Sequence, residues 1–185
     1  MRVSRLLLAV ALAWAALVGC GTAATDSGYV SGDGSVTLIP VDRRPVAPVL
    51  QGTTLEGASL STAESGGSVL VLNVWGSWCA PCRKEAADLQ AAASETAAVA
   101  RFVGINTRDP DPAQAKAFQR SFGVTYPSLY DPAGALVLTL SGQVPPSAIP
   151  STLVVDRQGR IAARILGETT RITLVTVVND VANGR

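Results

Sequence analysis

One strand-to-helix junction constrains the fold of this chain more than any other stretch. Residues 68–75 are almost wholly apolar, which is the pattern of a central strand buried on both faces. Residues 80–100 are rich in Ala, Glu, Gln and Lys, which favour helix, and Pro81 falls in the first turn, where its missing N–H costs little. Cys79 and Cys82 lie at the junction, so the sequence predicts Cys79 at a helix N-terminus.

The spacing of Cys79 and Cys82 suits reversible disulfide chemistry. It puts both sulfurs on neighbouring positions of the first helical turn, within disulfide reach. The partial positive charge of the helix N-terminus favours the thiolate of Cys79. Cys79 would attack a partner disulfide, and Cys82, one turn deeper, would resolve the mixed disulfide. A static disulfide or two idle thiols is the alternative, but so small a ring closes little loop entropy.

Composition limits the other chemistries. The chain of 185 residues has no His, which removes Ser-His and Cys-His nucleophile pairs and most zinc sites. The net charge of +1 gives no reason to expect a nucleic-acid partner. We therefore predict neither a bound metal nor a cofactor.

The N-terminus has the features of a bacterial export signal. Two arginines precede residues 6–18, an apolar run that is too short to span a bilayer comfortably. The run leads into Gly19-Cys20, which resembles a lipobox, where the thiol is acylated and becomes the new N-terminus. We predict a signal peptide over residues 1–19 and a lipid on Cys20. An uncleaved anchor, or an ordinary secretory signal with a spare thiol, are the alternatives.

The leader sets the domain organisation. Residues 20–45 are rich in Gly, Ser, Thr and Asp, which predicts a lipidated flexible tether, with a short strand at 36–40. The domain is predicted over 46–185, on the extracytoplasmic face of the cell membrane. With the first cysteine taken by lipid, Cys79 and Cys82 can pair only with each other or with another protein, in a compartment where disulfides persist.

The rest of the domain is predicted to alternate strands and helices and then to end in a hairpin and a helix. Strands of a βαβ pattern are parallel, so a following antiparallel hairpin gives a mixed sheet covered by helices. The final segment is rich in Ile, Val and Thr, which favour strand locally, but a helix there completes the packing of the sheet. The predicted elements are a hairpin at 50–60, a strand at 101–106, a helix at 111–122, an extended piece at 126–130, a helix at 133–140, hairpin strands at 152–156 and 161–165, and a helix at 169–183.

Two separate segments resemble one known family. Residues 72–85, LNVWGSWCAPCRKE, resemble the active-site segment of the TlpA/ResA-like branch of the thioredoxin superfamily. Residues 148–161, AIPSTLVVDRQGRI, resemble its cis-proline loop and the hairpin that follows. The resemblance covers about residues 46–182. It implies an α/β thioredoxin fold, a mixed central sheet flanked by helices, with an N-terminal hairpin and a helical insert at about 107–132.

The resemblance also implies site residues beyond the cysteines. Pro150 is expected to be the cis-proline that faces them, and the backbone of Ile149 is expected to pair with an extended substrate segment. Glu85, on the same helix face as the second cysteine, is expected to handle the proton of the resolving thiol, because Asn73 stands where cytoplasmic thioredoxins carry a buried Asp. Trp78 is expected to line the rim. A trans loop proline and a solvated helix glutamate are the alternatives.

The predicted function is thiol–disulfide exchange with cysteines of other exported proteins, with a membrane redox partner for recycling. Family resemblance suggests apocytochrome c, and general oxidative folding is the other use. A thiol peroxidase is an alternative, although peroxiredoxin-like sites carry Thr where Gly76 stands. A metal-binding module and an inert structural lipoprotein are two more. The Ala80-Pro81 pair does not decide the direction of electron flow.

Overall fold

The computed structural model describes residues 36–185, and the predicted signal peptide, Cys20 and most of the tether lie outside the described residues. The strands are β1 (Val36–Leu38), β2 (Gln51–Thr53), β3 (Ser59–Ser61), β4 (Val69–Trp75), β5 (Ala100–Thr107), β6 (Ser128–Asp131), β7 (Ser151–Val155) and β8 (Ile161–Leu166). The helices are α1 (Ala80–Glu95), α2 (Pro112–Phe122), α3 (Ala135–Thr139) and α4 (Arg171–Ala182), and single 3-10 turns lie at Val41–Arg43 and Thr62–Glu64.

Six strands form one mixed sheet in the order β1-β8-β7-β4-β5-β6. Strands β4, β5 and β6 are parallel, whereas β7 runs antiparallel to β4 and begins the hairpin with β8. The β2–β3 hairpin stands apart and contacts the sheet through a bridge between Thr54 and Leu129. The predicted mixed sheet with an N-terminal hairpin is confirmed.

The central strand β4 is buried at all seven positions, as its apolar run predicts. Because side chains alternate across a strand, Val69 and Val71 join one core with α1 and α4. Leu70 and Leu72 join a second core with α3 on the opposite face. Full burial of one such side chain stabilises the fold by roughly 1.5–3 kcal/mol, so both faces fix the position of the strand that leads into the cysteines.

Helix α1 ends at Glu95, so the predicted extension to residue 100 is wrong. Both the backbone N–H and the hydroxyl of Thr96 donate to the carbonyl of Ala92. The carbonyl of Thr96 then accepts from Val99 and Ala100, and the chain turns into β5. Helix propensity favours the Ala-rich stretch as helix, but the pairing of β5 with β4 takes Ala100 into the sheet.

The final segment is a helix, as predicted, despite its β-branched residues. The hydroxyl of Thr170 accepts from the N–H of Thr173 and caps α4. Leu174, Val177, Val178 and Val181 are buried, and this spacing places them on one face against the sheet. Tertiary burial therefore outweighs local strand propensity here.

The sheet begins before the domain boundary that composition predicts at residue 46. Val36 pairs with Ile165, and Leu38 pairs with Ala163, so the predicted short strand forms an edge of the main sheet. The following turn is fixed as well, because the Arg44 guanidinium lies 3.3 Å from the carboxylate of Asp156. Within residues 36–185, no helix is both long enough and apolar enough to cross a membrane.

Candidate active site

The two cysteines lie where β4 gives way to α1. Cys79 is the N-cap residue of α1, and its Sγ accepts a hydrogen bond from the N–H of Cys82 at 3.2 Å. The two residues form a disulfide across a Cα–Cα distance of 5.3 Å. Cys79 is 3% exposed and Cys82 is 1% exposed. The helix N-terminus thus holds Cys79 at the point where backbone N–H groups favour a thiolate.

The loop before β7 closes over Cys79. The Ile149–Pro150 peptide bond is cis, so the conformation predicted for Pro150 is confirmed. The carbonyl oxygen of Ile149 lies 3.8 Å from the Sγ of Cys79. The structure therefore brings Cys79, Ile149 and Pro150 together as predicted.

Glu85 is buried beneath the cysteines instead of facing solvent. It is 1% exposed, and its carboxylate accepts from Asn73 Nδ2 at 3.0 Å and from the N–H of Thr169 at 3.0 Å. Burial raises the pKa of Glu85 to about 7, although the hydrogen bonds from Asn73 and Thr169 lower it in part, and the charge of Glu168 raises it further. A carboxyl group with this pKa can both accept and release a proton near neutral pH.

The resolving cysteine faces the interior. A small cavity of about 10 Å³ lies beside Cys82, and Asn73, Phe118 and Tyr126 line it. Burial and the nearby charge of Glu85 raise the pKa of Tyr126. Trp75 belongs to this wall: it is buried, and its ring centroid lies 4.6 Å from that of Phe118. Glu85 is therefore the titratable side chain near Cys82 that can exchange a proton around neutral pH.

Trp78, predicted to line the rim, directly precedes Cys79 in the chain. The residue is 47% exposed, and its Nε1 donates to the carbonyl of Thr107 at 3.2 Å. A Cβ at Gly76 would lie only 2.5 Å from the same Nε1, so the indole can fold back over this position only because it is glycine. Residues 76–78, which we call the approach segment, are thereby held against the end of β5.

Ser77 and Asp109 form a contact that sequence reasoning missed. The carboxylate of Asp109 accepts from the N–H of Ser77 at 2.9 Å and from its hydroxyl at 2.5 Å. It also accepts from Asn106 Nδ2 at 2.6 Å. The available signal was position: Asn106 and Asp109 lie at the carboxyl end of a parallel strand, where α/β proteins place functional residues.

The part of the chain that the structure describes contains no group of three or more His, Cys, Asp or Glu residues placed to hold a metal ion. The chemical capacity of the site lies in its sulfurs and in its buried carboxylates. A dithiol and a disulfide interconvert by exchange with another disulfide or thiol, without any further group. Of the predicted site residues, Cys20 alone lies outside the described residues.

Comparisons with known proteins agree with this geometry. The family model described as Redoxin matches residues 35–181. The thiol-disulfide oxidoreductase ResA of Bacillus cereus is 28% identical over 128 residues, which are 68% of this chain and 70% of that protein. The thiol:disulfide interchange protein HelX of Rhodobacter capsulatus is 32% identical over 119 residues, which are 64% of this chain and 63% of that protein.

Two solved structures are similar over most of the chain. A DsbF homologue from Corynebacterium diphtheriae has a TM-score of 0.74 at 38% identity and covers 83% of this chain and 98% of its own. A secreted thiol-disulfide isomerase from Corynebacterium glutamicum has a TM-score of 0.76 at 35% identity and covers 84% of this chain and 97% of its own. Both align with the domain that carries the disulfide.

Proposed function

Because the chain belongs to the redoxin family and is a thiol–disulfide oxidoreductase of the thioredoxin fold, we propose that it exchanges disulfides with cysteines of other exported proteins. The observation that carries the proposal is the Cys79–Cys82 disulfide at the start of α1, with the Ile149 backbone beside Cys79. An extended partner segment would dock along Ile149 and Pro150 and present its own sulfur to Cys79. Trp78 would form the opposite rim of this groove.

The exchange has two steps. The Cys79 thiolate attacks one sulfur of the partner disulfide, forming a mixed disulfide and releasing the other partner sulfur as a thiolate. Cys82 then loses its proton and attacks the Sγ of Cys79, which closes the Cys79–Cys82 disulfide and releases the second partner thiolate. The partner has gained two electrons; in reverse, the same steps oxidise it.

We assign the proton of Cys82 to Glu85. Glu85 follows Cys82 by three residues on the buried side of α1, and its pKa of about 7 leaves both protonation states populated at neutral pH. Asn73 holds the carboxylate but cannot titrate. In the forward direction Glu85 would take the proton from Cys82 as the mixed disulfide is resolved, and in the reverse direction it would return it.

Paired serine variants test the exchange. Cys79→Ser should abolish reduction of insulin disulfides, since it lacks the attacking sulfur. Cys82→Ser should instead accumulate mixed disulfides with its partners, because the resolving sulfur is missing, and those partners can be identified after trapping in whole cells. Exported cysteine proteins, including apocytochrome c, are the expected species. Undiminished turnover by the Cys79→Ser protein would refute the proposal.

The location is proposed from the leader. A lipid on Cys20 would keep the domain at the extracytoplasmic face of the cell membrane, where a membrane redox partner would recycle it. One acyl chain contributes about 0.8 kcal/mol per buried methylene. Cys20→Ser should therefore lose incorporation of labelled fatty acid and move the protein out of the membrane fraction. If the wild-type protein incorporates no label, the anchor is not a lipid on this residue.

A further inference from the structure

The approach segment is held from two sides at Ser77. Asp109 accepts from both the N–H and the hydroxyl of Ser77. On the other side, the guanidinium of Arg83 donates to the carbonyl of Ser77 from Nε at 3.2 Å and from Nη2 at 2.6 Å. Every hydrogen-bonding group of Ser77 therefore has a partner, and the backbone two residues before Cys79 is fixed in place.

Asp109 is an unusual group to find at this position. It is 0% exposed, and none of the ion pairs found within residues 36–185 includes it. Burying a carboxylate without a cation carries a large desolvation cost, which hydrogen bonds must offset. Its three side-chain hydrogen bonds come from Ser77, two residues before Cys79, and from Asn106, which is paired with Trp75 in the sheet.

The charges around Cys79 are divided by burial. Two acidic groups, Asp109 and Glu85, are buried, whereas Glu168 is exposed. The basic groups Arg83, Lys84 and Arg108 are exposed, and Lys84 pairs with Glu168 at 3.5 Å. Solvent screens exposed charges far more than buried ones. The two buried carboxylates therefore disfavour a thiolate at Cys79 more than the exposed cations favour it, and they act against the N-terminus of α1, which favours it.

We propose that Asp109 is a positioning residue of the dithiol site, which holds the approach segment through Ser77 and biases the Cys79–Cys82 couple toward the disulfide. The inference rests on the proposed exchange activity and adds the direction in which electrons flow between the protein and its partners. A couple biased toward the disulfide gives up electrons readily. The protein would accordingly favour reduction of its partners.

The bias is measured by equilibrium with glutathione. Two molecules of glutathione and the protein disulfide give the protein dithiol and one glutathione disulfide. Asp109→Asn removes the buried charge and should shift this equilibrium toward the dithiol by at least threefold. The matched control is Asp111→Asn, from the same loop, whose carboxylate caps α2 by accepting from the N–H of Ala113. It should stay within twofold of wild type.

The positioning role is measured separately with Ser77→Ala. This variant keeps the Asp109 charge and the backbone contact but loses the hydroxyl contact. It should leave the glutathione equilibrium within twofold and slow the reaction of reduced Cys79 with a small aromatic disulfide at least threefold. Ser77→Ala also keeps the proposal testable if Asp109→Asn does not fold.

Several results would overturn the inference. A folded Asp109→Asn protein with the wild-type equilibrium constant would leave Asp109 a purely structural residue. A Ser77→Ala protein with the wild-type reaction rate would refute the positioning role. Neither result would argue against the proposed exchange activity, which the Cys79→Ser variant tests independently.

Discussion

Replacing Glu85 with Gln should remove a specific dependence of stability on pH. The pKa of Glu85 is raised from 4.5 to about 7 in the folded protein. Between these values the folded state holds a proton that the unfolded chain has released. Unfolding therefore releases a proton, and stability falls as the pH rises through this window. Above about pH 7 the dependence levels off, because both states are then ionised.

The size of the effect follows from the same two values. Each pKa unit corresponds to about 1.4 kcal/mol, so the free energy of unfolding should fall by about 3 kcal/mol between pH 4 and pH 8. The window is unusually clean because the chain has no His, the side chain that ordinarily titrates there. Gln cannot titrate, so its profile should be flatter by this amount.

Urea unfolding of the oxidised protein, followed by tryptophan fluorescence at several pH values, measures both profiles. Gln has one acceptor for the two donors Asn73 and Thr169, so the variant should lose stability at every pH. The difference in slope, not the offset, is therefore the observable. Parallel profiles for the wild-type and Glu85→Gln proteins would show that Glu85 does not carry the raised pKa.

Two further predictions concern the scaffold. Gly104→Ala should cost about 3 kcal/mol of stability in urea unfolding, because the new Cβ would lie 2.1 Å from Ser128 Oγ. The control Gly142→Ala, with nothing within 4 Å of its Cβ, should be close to neutral. Equal losses of stability in the two variants would contradict the clash. Asp156→Asn should lose roughly 1–3 kcal/mol at neutral pH, because hydrogen bonds from Arg160 and others lower the pKa of Asp156 despite its burial. The stabilisation by ionised Asp156 is present above the pKa of the unfolded chain and is lost as the pH falls through the lower pKa of the folded protein. The difference in unfolding free energy between wild type and Asp156→Asn should therefore disappear below about pH 4. A difference that stays constant with pH would contradict this explanation.

The local sequence pattern was sufficient to predict where the two reactive cysteines lie in the fold. The apolar run of β4, the cysteine spacing and the helix composition after it are contiguous in sequence, so their meeting point could be predicted. The cis-proline loop lies far away, and its placement beside Cys79 came from resemblance, since periodicity says nothing about a contact between Cys79 and Ile149, which are 70 positions apart. The placement of Glu85 on the same face of α1 as Cys82, in contrast, followed from helical spacing, whereas its burial did not.

The features that were missed depend on distant partners. Ser77 and Asp109 are separated by 32 residues, and nothing local to either marks the contact. The short strand at 36–40 was predicted, but its place at the edge of the main sheet was not, because that place depends on the pairing of β1 with the distant β8. The end of α1 was overestimated because the helix propensity of the Ala-rich stretch gives no information about where β5 must begin.

The burial of Cys79 implies a kinetic filter on its partners. Cys79 is only 3% exposed as a residue and lies beside the carbonyl of Ile149, so a thin, extended chain would reach its sulfur more easily than the convex surface of a folded protein. Disulfide exchange would then compete with folding of the partner, and a partner that folds quickly would react less. For partners already folded, the rate would follow how often their disulfide-bearing segment opens.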